Sequence, residues 1–194
     1  MSLCAEIAAD ILFNCDYPPV AGIEQKIILI NRDDIDSITY DVTYPGELAT
    51  LITLKTGKTG YLVQGIKQVM KYSNEFLSET ESVNAVRHSI LGVRVYDPSV
   101  KVQKAINNFI NGANVVAVVE KKWKGIDNEN AFRIFGLTHG LELSEMTDAS
   151  DENDGTFVFS LTTPEGYKEP KVPHQLLITD YATTRTAFDN KFAA

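Results

Sequence analysis

Between Arg133 and Lys168 the chain has no lysine or arginine, yet it carries seven acids: Glu142, Glu145, Asp148, Asp151, Glu152, Asp154 and Glu165. The whole chain has 26 acids, 18 bases and a formal net charge of −8, so this stretch holds most of the excess negative charge. A field concentrated in this way belongs to one surface or one projection of the fold. Net acidity argues against a dedicated nucleic-acid reader, because phosphate neutralisation needs clustered lysine and arginine. Cysteine is scarce. Cys4 and Cys15 are the only two, too few for a disulfide framework and without zinc-ligand spacing. With no basic segment before an apolar stretch at the N-terminus, no secretory signal is expected, and both thiols are expected to be reduced. No apolar run approaches the roughly 20 residues of a membrane helix. The longest, Val115 to Val119, is the size of a strand.

What is present reads mainly as strands. Residues 1–25 form an N-terminal arm in which Leu3, Ile7, Ile11, Leu12 and Phe13 line a short helix, broken by Asp16-Tyr-Pro-Pro. Lys26–Ile30 is a buried-strand run. Thr50–Lys55 and Gly60–Gln64 flank the polar turn Thr56–Gly60, which predicts a β-hairpin. Ser82–Tyr96 reads as a long strand. Asp97 and Pro98 then suit the N-cap and first position of a helix carrying Val102, Ala105, Ile106, Phe109 and Ile110, stopped by Gly112. Ala113–Glu120 and Ala131–Gly136 are further strands. Gly140–Met146 and Gly155–Leu161 alternate apolar and polar residues, the first with Leu141, Leu143 and Glu145 on one face. The acidic loop Thr147–Asp154 therefore joins two hairpin strands. Gln175–Ile178 is a last short strand before a C-terminal helix or tail, residues 180–194. The fold class expected is α+β: an antiparallel β-sandwich or partial barrel over residues 26–179 with one flanking α-helix.

The motifs offer little catalysis. Gly57-Lys58-Thr59 matches the end of a phosphate-binding loop, but Ile52 stands where the first glycine is required, within a strand–turn–strand pattern. A calcium loop ending on Gly155 would take ligands from Ser150, Glu152 and Asp154 and a bidentate glutamate at position 161, which is Leu161. His88, His139 and His174 lie far apart, and no nucleophile elbow is present. Exposed carboxylates have little reason for the shifted pKa that acid–base chemistry needs. Lys121-Lys122-Trp123-Lys124 reads as a hairpin tip of solvated lysines around one amphipathic ring, able to pair with an acidic loop on a neighbouring copy. No catalytic residue, cofactor or metal ligand is expected.

Several stretches, taken in order, resemble one family. They are Cys4 through Asn14-Cys-Asp16, Ile27 to Ile35, Asn114 to Glu120, Phe132 to Leu137, Gly140-Leu141 with the acidic loop and Asp154-Gly155, and Thr163 to Pro170. Together they resemble the tail-tube and tail-ring virion proteins of tailed bacteriophages, especially those infecting Bacteroidetes. The resemblance implies a sandwich or barrel assembled into homo-oligomeric rings, hexameric or dodecameric, that form a conduit for DNA in the virion tail. It implies assembly in the host cytoplasm, contact with other tail or portal-proximal proteins, and neither membrane nor enzyme activity. Carried onto this chain, Ser73–Tyr96 is the long inner hairpin region. The arm, Lys121, Lys122, Trp123 and Lys124, and Asp148, Asp151, Glu152 and Asp154 are the inter-subunit or lumen contacts. A head–tail connector, tail terminator or short-tail ring protein is the near alternative. From other classes come a small metal-binding enzyme using the acids of 148–154 and a carbohydrate-binding sandwich stacking sugars on Trp123 and Tyr167.

Overall fold

In the computed structural model, which describes residues 9–66, 69–78 and 85–193, the chain bends twice to make one curled sheet. The strand β1 (Ile23–Asn31) runs through a 3-10 turn at Arg32–Asp34 into β2 (Ile35–Tyr40), and β3 (Leu48–Leu54) runs through residues 55–60 into β4 (Tyr61–Gln64). β2 pairs with β3 and β1 pairs with β4, both antiparallel. Partner numbers add to the same total along β1–β4 and through the middle of β2–β3, Lys26 with Gln64 and Ile38 with Ile52, with a one-residue shift near each end of β2. The two runs are therefore one long ribbon, creased once.

This corrects the hairpin expected at Thr56–Gly60, since β3 and β4 do not pair with each other. Lys58 extends from the crease to Asp34 at 2.9 Å. That contact and a hydrogen bond from the Asn31 amide hold the Asp34 carboxyl below its usual range. Gly60 crosses so closely over β1 that a Cβ there would lie 2.5 Å from Ile28 Cγ2. Its glycine thus serves a close approach rather than a turn.

The ribbon is completed by β7 (Val115–Lys121), β8 (Phe132–Phe135) and β11 (His174–Leu176), in the order β2-β3-β11-β8-β7-β1-β4. β11 runs parallel to β3, the exception in an otherwise antiparallel sheet. A second, four-stranded sheet has the order β5-β6-β10-β9, from β5 (Lys71–Leu77), β6 (Ala85–Val95), β9 (Glu142–Thr147) and β10 (Phe157–Thr162). Two helices, α1 (Val100–Ile110) and α2 (Tyr181–Asp189), complete an α+β, sandwich-like fold without a closed barrel.

Two cores follow. Inside the curl, Ile28, Ile30, Val116, Val118, Phe132 and Ile134 pack with Phe188 of α2 and Phe192 beyond it. Between the sheets, Ile27, Leu29, Val115, Ala117, Val119 and Phe135 meet Ile90, Val93, Phe159 and Leu161. β7 lies between the two cores, which explains why its whole length is buried and why Val115–Val119 is apolar without alternation. Each fully buried Val, Ile, Leu or Phe side chain contributes about 1.5–3 kcal/mol.

Local chemistry sets the helix ends. α1 begins at Val100, two residues later than expected, because Ser99 is the cap. Ser99 Oγ accepts from the Val102 amide, while Asp97 accepts from both the Ser99 amide and its hydroxyl. Gly112 ends the helix at φ +88° as expected. Ile106 is buried, but Ile110, placed on the apolar stripe from sequence, is 53% exposed.

In the arm, residues 9–14 form no helix, and Ile11, Leu12 and Phe13 are largely exposed. So short a helix is marginal in water without a surface to pack on. Leu3, Cys4 and Ile7 lie outside the described residues. The 73–96 region does form a hairpin: β5 and β6 pair from Lys71–Leu91 to Leu77–Ala85, with Ser82 and Val83 outside the described residues.

Candidate functional site

The acidic loop joins β9 to β10 as expected, with Thr147 opposite Val158. Asp148, Asp151 and Glu152 are exposed on it. Asp154 lies in the 3-10 turn Asn153–Gly155, and its side chain is outside what the structure describes. The loop is tied down by Arg94, whose guanidinium donates to Asn153 Oδ1 at 3.2 Å. Among the described residues no three His, Cys, Asp or Glu side chains group to hold a metal ion. A register shift opposite Ser160 and Leu161 puts Glu145 on the face away from Leu143, correcting the shared face read from alternation.

The basic tip is not a tip of solvated lysines. Lys121 ends β7 and is 5% exposed. Burial, reinforced by the nearby Arg133 guanidinium, lowers its amine to a pKa of about 8. Its Nζ lies 5.3 Å from the centre of the Trp123 ring. Trp123 is 44% exposed, and its indole N–H donates to the Tyr17 carbonyl at 3.2 Å, pinning the arm. Lys122 is half-buried, with its stem beside Gly22. Lys124 turns the opposite way and donates to Glu120 at 2.5 Å, with Glu24 at 3.4 Å and the Tyr181 ring centre at 5.2 Å. Consecutive residues of an extended chain point to opposite faces, so a basic run in sequence is divided between two environments.

Glu120 is the centre of one of them. It is 1% exposed and accepts from Lys124, from the Tyr181 hydroxyl at 2.7 Å and from Arg185 Nη1. Arg185 also binds Asp189, which binds Lys26 at 3.0 Å. The set fastens α2 to β7 and β1, and it balances: Glu24, Glu120 and Asp189 face Lys26, Lys124 and Arg185. A shallow depression of about 190 Å³ opens onto it.

A second polar group was not legible in the sequence. His88, fully buried on β6, accepts at Nδ1 from the Gly136 amide at 3.1 Å and donates from Nε2 to the Lys171 carbonyl at 2.9 Å, which fixes the neutral ring. Glu169, also buried, caps the turn after β8 by accepting from the Thr138 and His139 amides. His174 stands near both, its Nδ1 buried without a partner. Burial lowers the pKa of both histidines. Residues so far apart in sequence carry no spacing signal that would have joined them. His139 joins this group only through its backbone amide, and its ring lies 5.2 Å from that of Tyr167.

The four-stranded sheet is open rather than closed. Its directions alternate from β5 to β9, and neither edge strand has an outer partner among the described residues. Phe76 on β5 is 64% and Met146 on β9 39% exposed, while Leu141, just before β9, pairs with Val115 of β7 and α1 packs near β9. Comparison of the chain with protein-family models, with curated proteins and with solved structures finds no match.

Proposed function

We propose that the protein is a structural subunit of a bacteriophage tail, assembling head to tail into rings that form part of a conduit for DNA. It acts by self-association and has no catalytic role. The observation that carries this reading is the open four-stranded sheet. An even number of alternating strands leaves β5 and β9 antiparallel to each other. A second copy can then place its β5 beside β9 and continue the same antiparallel alternation around a closed ring. Such pairing also covers edges that would otherwise invite uncontrolled aggregation.

Other features agree with this role. The acidic loop lies at the β9 end of the sheet, where its carboxylates repel phosphate or meet the exposed Lys71 of a neighbouring β5. The arm carries Ile11, Leu12 and Phe13 out into solvent, where a neighbouring ring would cover them. Other tail or portal-proximal proteins would contact the end rings.

Negative-stain microscopy of the purified protein tests the proposal, with rings or stacked rings expected. Phe76→Lys and Met146→Lys, one on each edge, should each abolish rings while the circular dichroism spectrum is kept. A species that mass photometry finds monomeric at every concentration sinks the reading.

A further inference from the structure

We propose that residues 164–172 form an acid-released strap: protonation of His88 detaches it, together with the turn after β8, and bares the backbone edge at the start of β6. This goes beyond the assembly reading and does not depend on it.

The strap lies between β10 and β11. Of its residues only Glu169 is buried, and Tyr167 and Val172 are largely exposed. It is therefore held by a few polar bonds and has no apolar face to anchor it. Glu169 exchanges both backbone hydrogen bonds with Val86, at 2.9 and 3.0 Å. Its carboxylate accepts from the Thr138 and His139 amides. Two residues on, the Lys171 carbonyl accepts from His88 Nε2. The Lys171 side chain reaches Glu47 as well, an exposed ion pair of small weight. A segment held in this way can open locally at a cost well below that of unfolding.

His88 joins the strap to the turn. Its buried ring sits between a backbone donor and a backbone acceptor. Nδ1 must stay unprotonated to accept from the Gly136 amide, whereas an imidazolium carries N–H on both nitrogens. Protonation would thus set two donors against each other across 3.1 Å. Rotating the ring to relieve them breaks its bond to Lys171. Moving Gly136 instead displaces the turn that Glu169 caps, so the three contacts fail together.

The groups around the ring do not rescue the cation. Glu169 is the carboxylate that acts on it, but neither ring nitrogen is bonded to Glu169, whose oxygens serve the two amides. His174 on β11 opposes a second positive charge. β8 brings the Phe135 ring and Arg133, which donates to the Pro173 carbonyl. β5 brings Asn74, opposite His88, and the Tyr72 phenol. Once the strap is open, the ring takes up a proton as an ordinary histidine does, so acid favours the open form. Opening frees the N–H and C=O of Val86 to pair with another chain.

Hydrogen exchange of the full chain between pH 7 and pH 5, expressed as protection factors, tests the proposal. The amides of Val86, Gly136, Thr138, His139 and Glu169 should lose protection together. The loss should reach about tenfold at most for each pH unit below 6.5, the dependence set by one proton. Amides of β1 and β7 should keep their protection. In His88→Gln, whose side-chain amide offers an acceptor and a donor but does not titrate, the five amides should stay protected at pH 5. In His174→Gln the loss should remain. Unchanged protection in the wild type, or a loss shared equally by β1 and β7, overturns the proposal. So does a loss that persists in His88→Gln or disappears in His174→Gln. Should His88→Gln not fold, the wild-type ring decides: its ¹⁵N shifts must titrate over the same pH range as the loss of protection, and a mismatch overturns the assignment.

Discussion

Glu120 and Lys121 are neighbours in the chain, equally buried and oppositely charged, and the fold treats them in opposite ways. Glu120 points into the curl, where two cations and a hydroxyl converge on it and α2 closes over the group. Lys121 points between the sheets, where it meets the Trp123 ring. The cost of burying a charge is therefore decided by what the opposite face of the strand supplies, and it reverses within one residue. On one side of β7 charge fastens two elements together. On the other it stands as an uncancelled potential.

The contrast predicts stability changes of opposite sign. The largest effect is expected for Glu120→Ala, which leaves Lys124 and Arg185 facing each other and loosens α2. A loss of about 3 kcal/mol in urea unfolding is expected, the range for breaking one partner of a buried ionic group. Its neighbour should behave in reverse. Lys121→Met removes an unpaired buried charge and should stabilise the protein by about 1–2 kcal/mol at neutral pH. A destabilising Lys121→Met would mean that the amine has a counter-charge in the folded protein.

Titration sharpens the same comparison. The Lys121 amine ionises near pH 8 when folded and near 10.5 when not. Below pH 8 it is charged in both states, so the full burial cost is present. As the pH rises from 8 to 10.5 the folded state releases its proton first, and this group's contribution becomes less unfavourable, by at most about 1.4 kcal/mol per pH unit. The advantage of Lys121→Met over the wild type should shrink across that window and nearly vanish above it. A constant difference from pH 7 to pH 10.5 would contradict the assignment. The smallest effect is expected for Tyr181→Phe, which removes one hydrogen bond to Glu120 and should cost about 1 kcal/mol in the same unfolding measurement.

The histidines supply an acid counterpart. His88 and His174 are both neutral in the fold, with pKa values below the ordinary 6.5. Their contribution is complete above pH 6.5 and is lost as the pH falls through the lower folded values, because the unfolded chain takes up the protons first. Thermal unfolding should therefore occur at lower temperature at pH 5 than at pH 7. Replacing His88 with Gln should flatten that dependence.

Legibility from sequence followed the range of the interactions. The apolar run of β7, the Gly112 stop and the β9–β10 hairpin could be read because each is written in adjacent or periodic residues, while residues 180–194 read equally as helix or tail and form α2. β5 could not. Its Lys-Tyr-Ser-Asn-Glu-Phe-Leu sequence covers the core only at Tyr72 and belongs to an exposed edge, so it lacks the alternation that announces a strand. The expected β3–β4 hairpin failed because glycines around a polar pair suit a crease as well as a turn, and only the position of β1 decides between them. The basic run misled for a related reason. Four residues in sequence say nothing about which of two faces each will join.

The creased ribbon has its own consequence for how the molecule tolerates change. β1 with β4 and the middle of β2 with β3 share one register, but a one-residue shift between Ile35 and Ser37 lies beside the crease, so the two ladders are locked separately. A slip in the β1 ladder would turn Ile28 and Ile30 outward, and one in the β3 ladder Ile52 and Leu54, each emptying one end of the curl. The Lys58–Asp34 pair lies where the two ladders meet. An insertion within either ladder should thus be far more damaging than one of the same length in the crease at residues 55–59, where the added residue can loop out and leave both registers as they were.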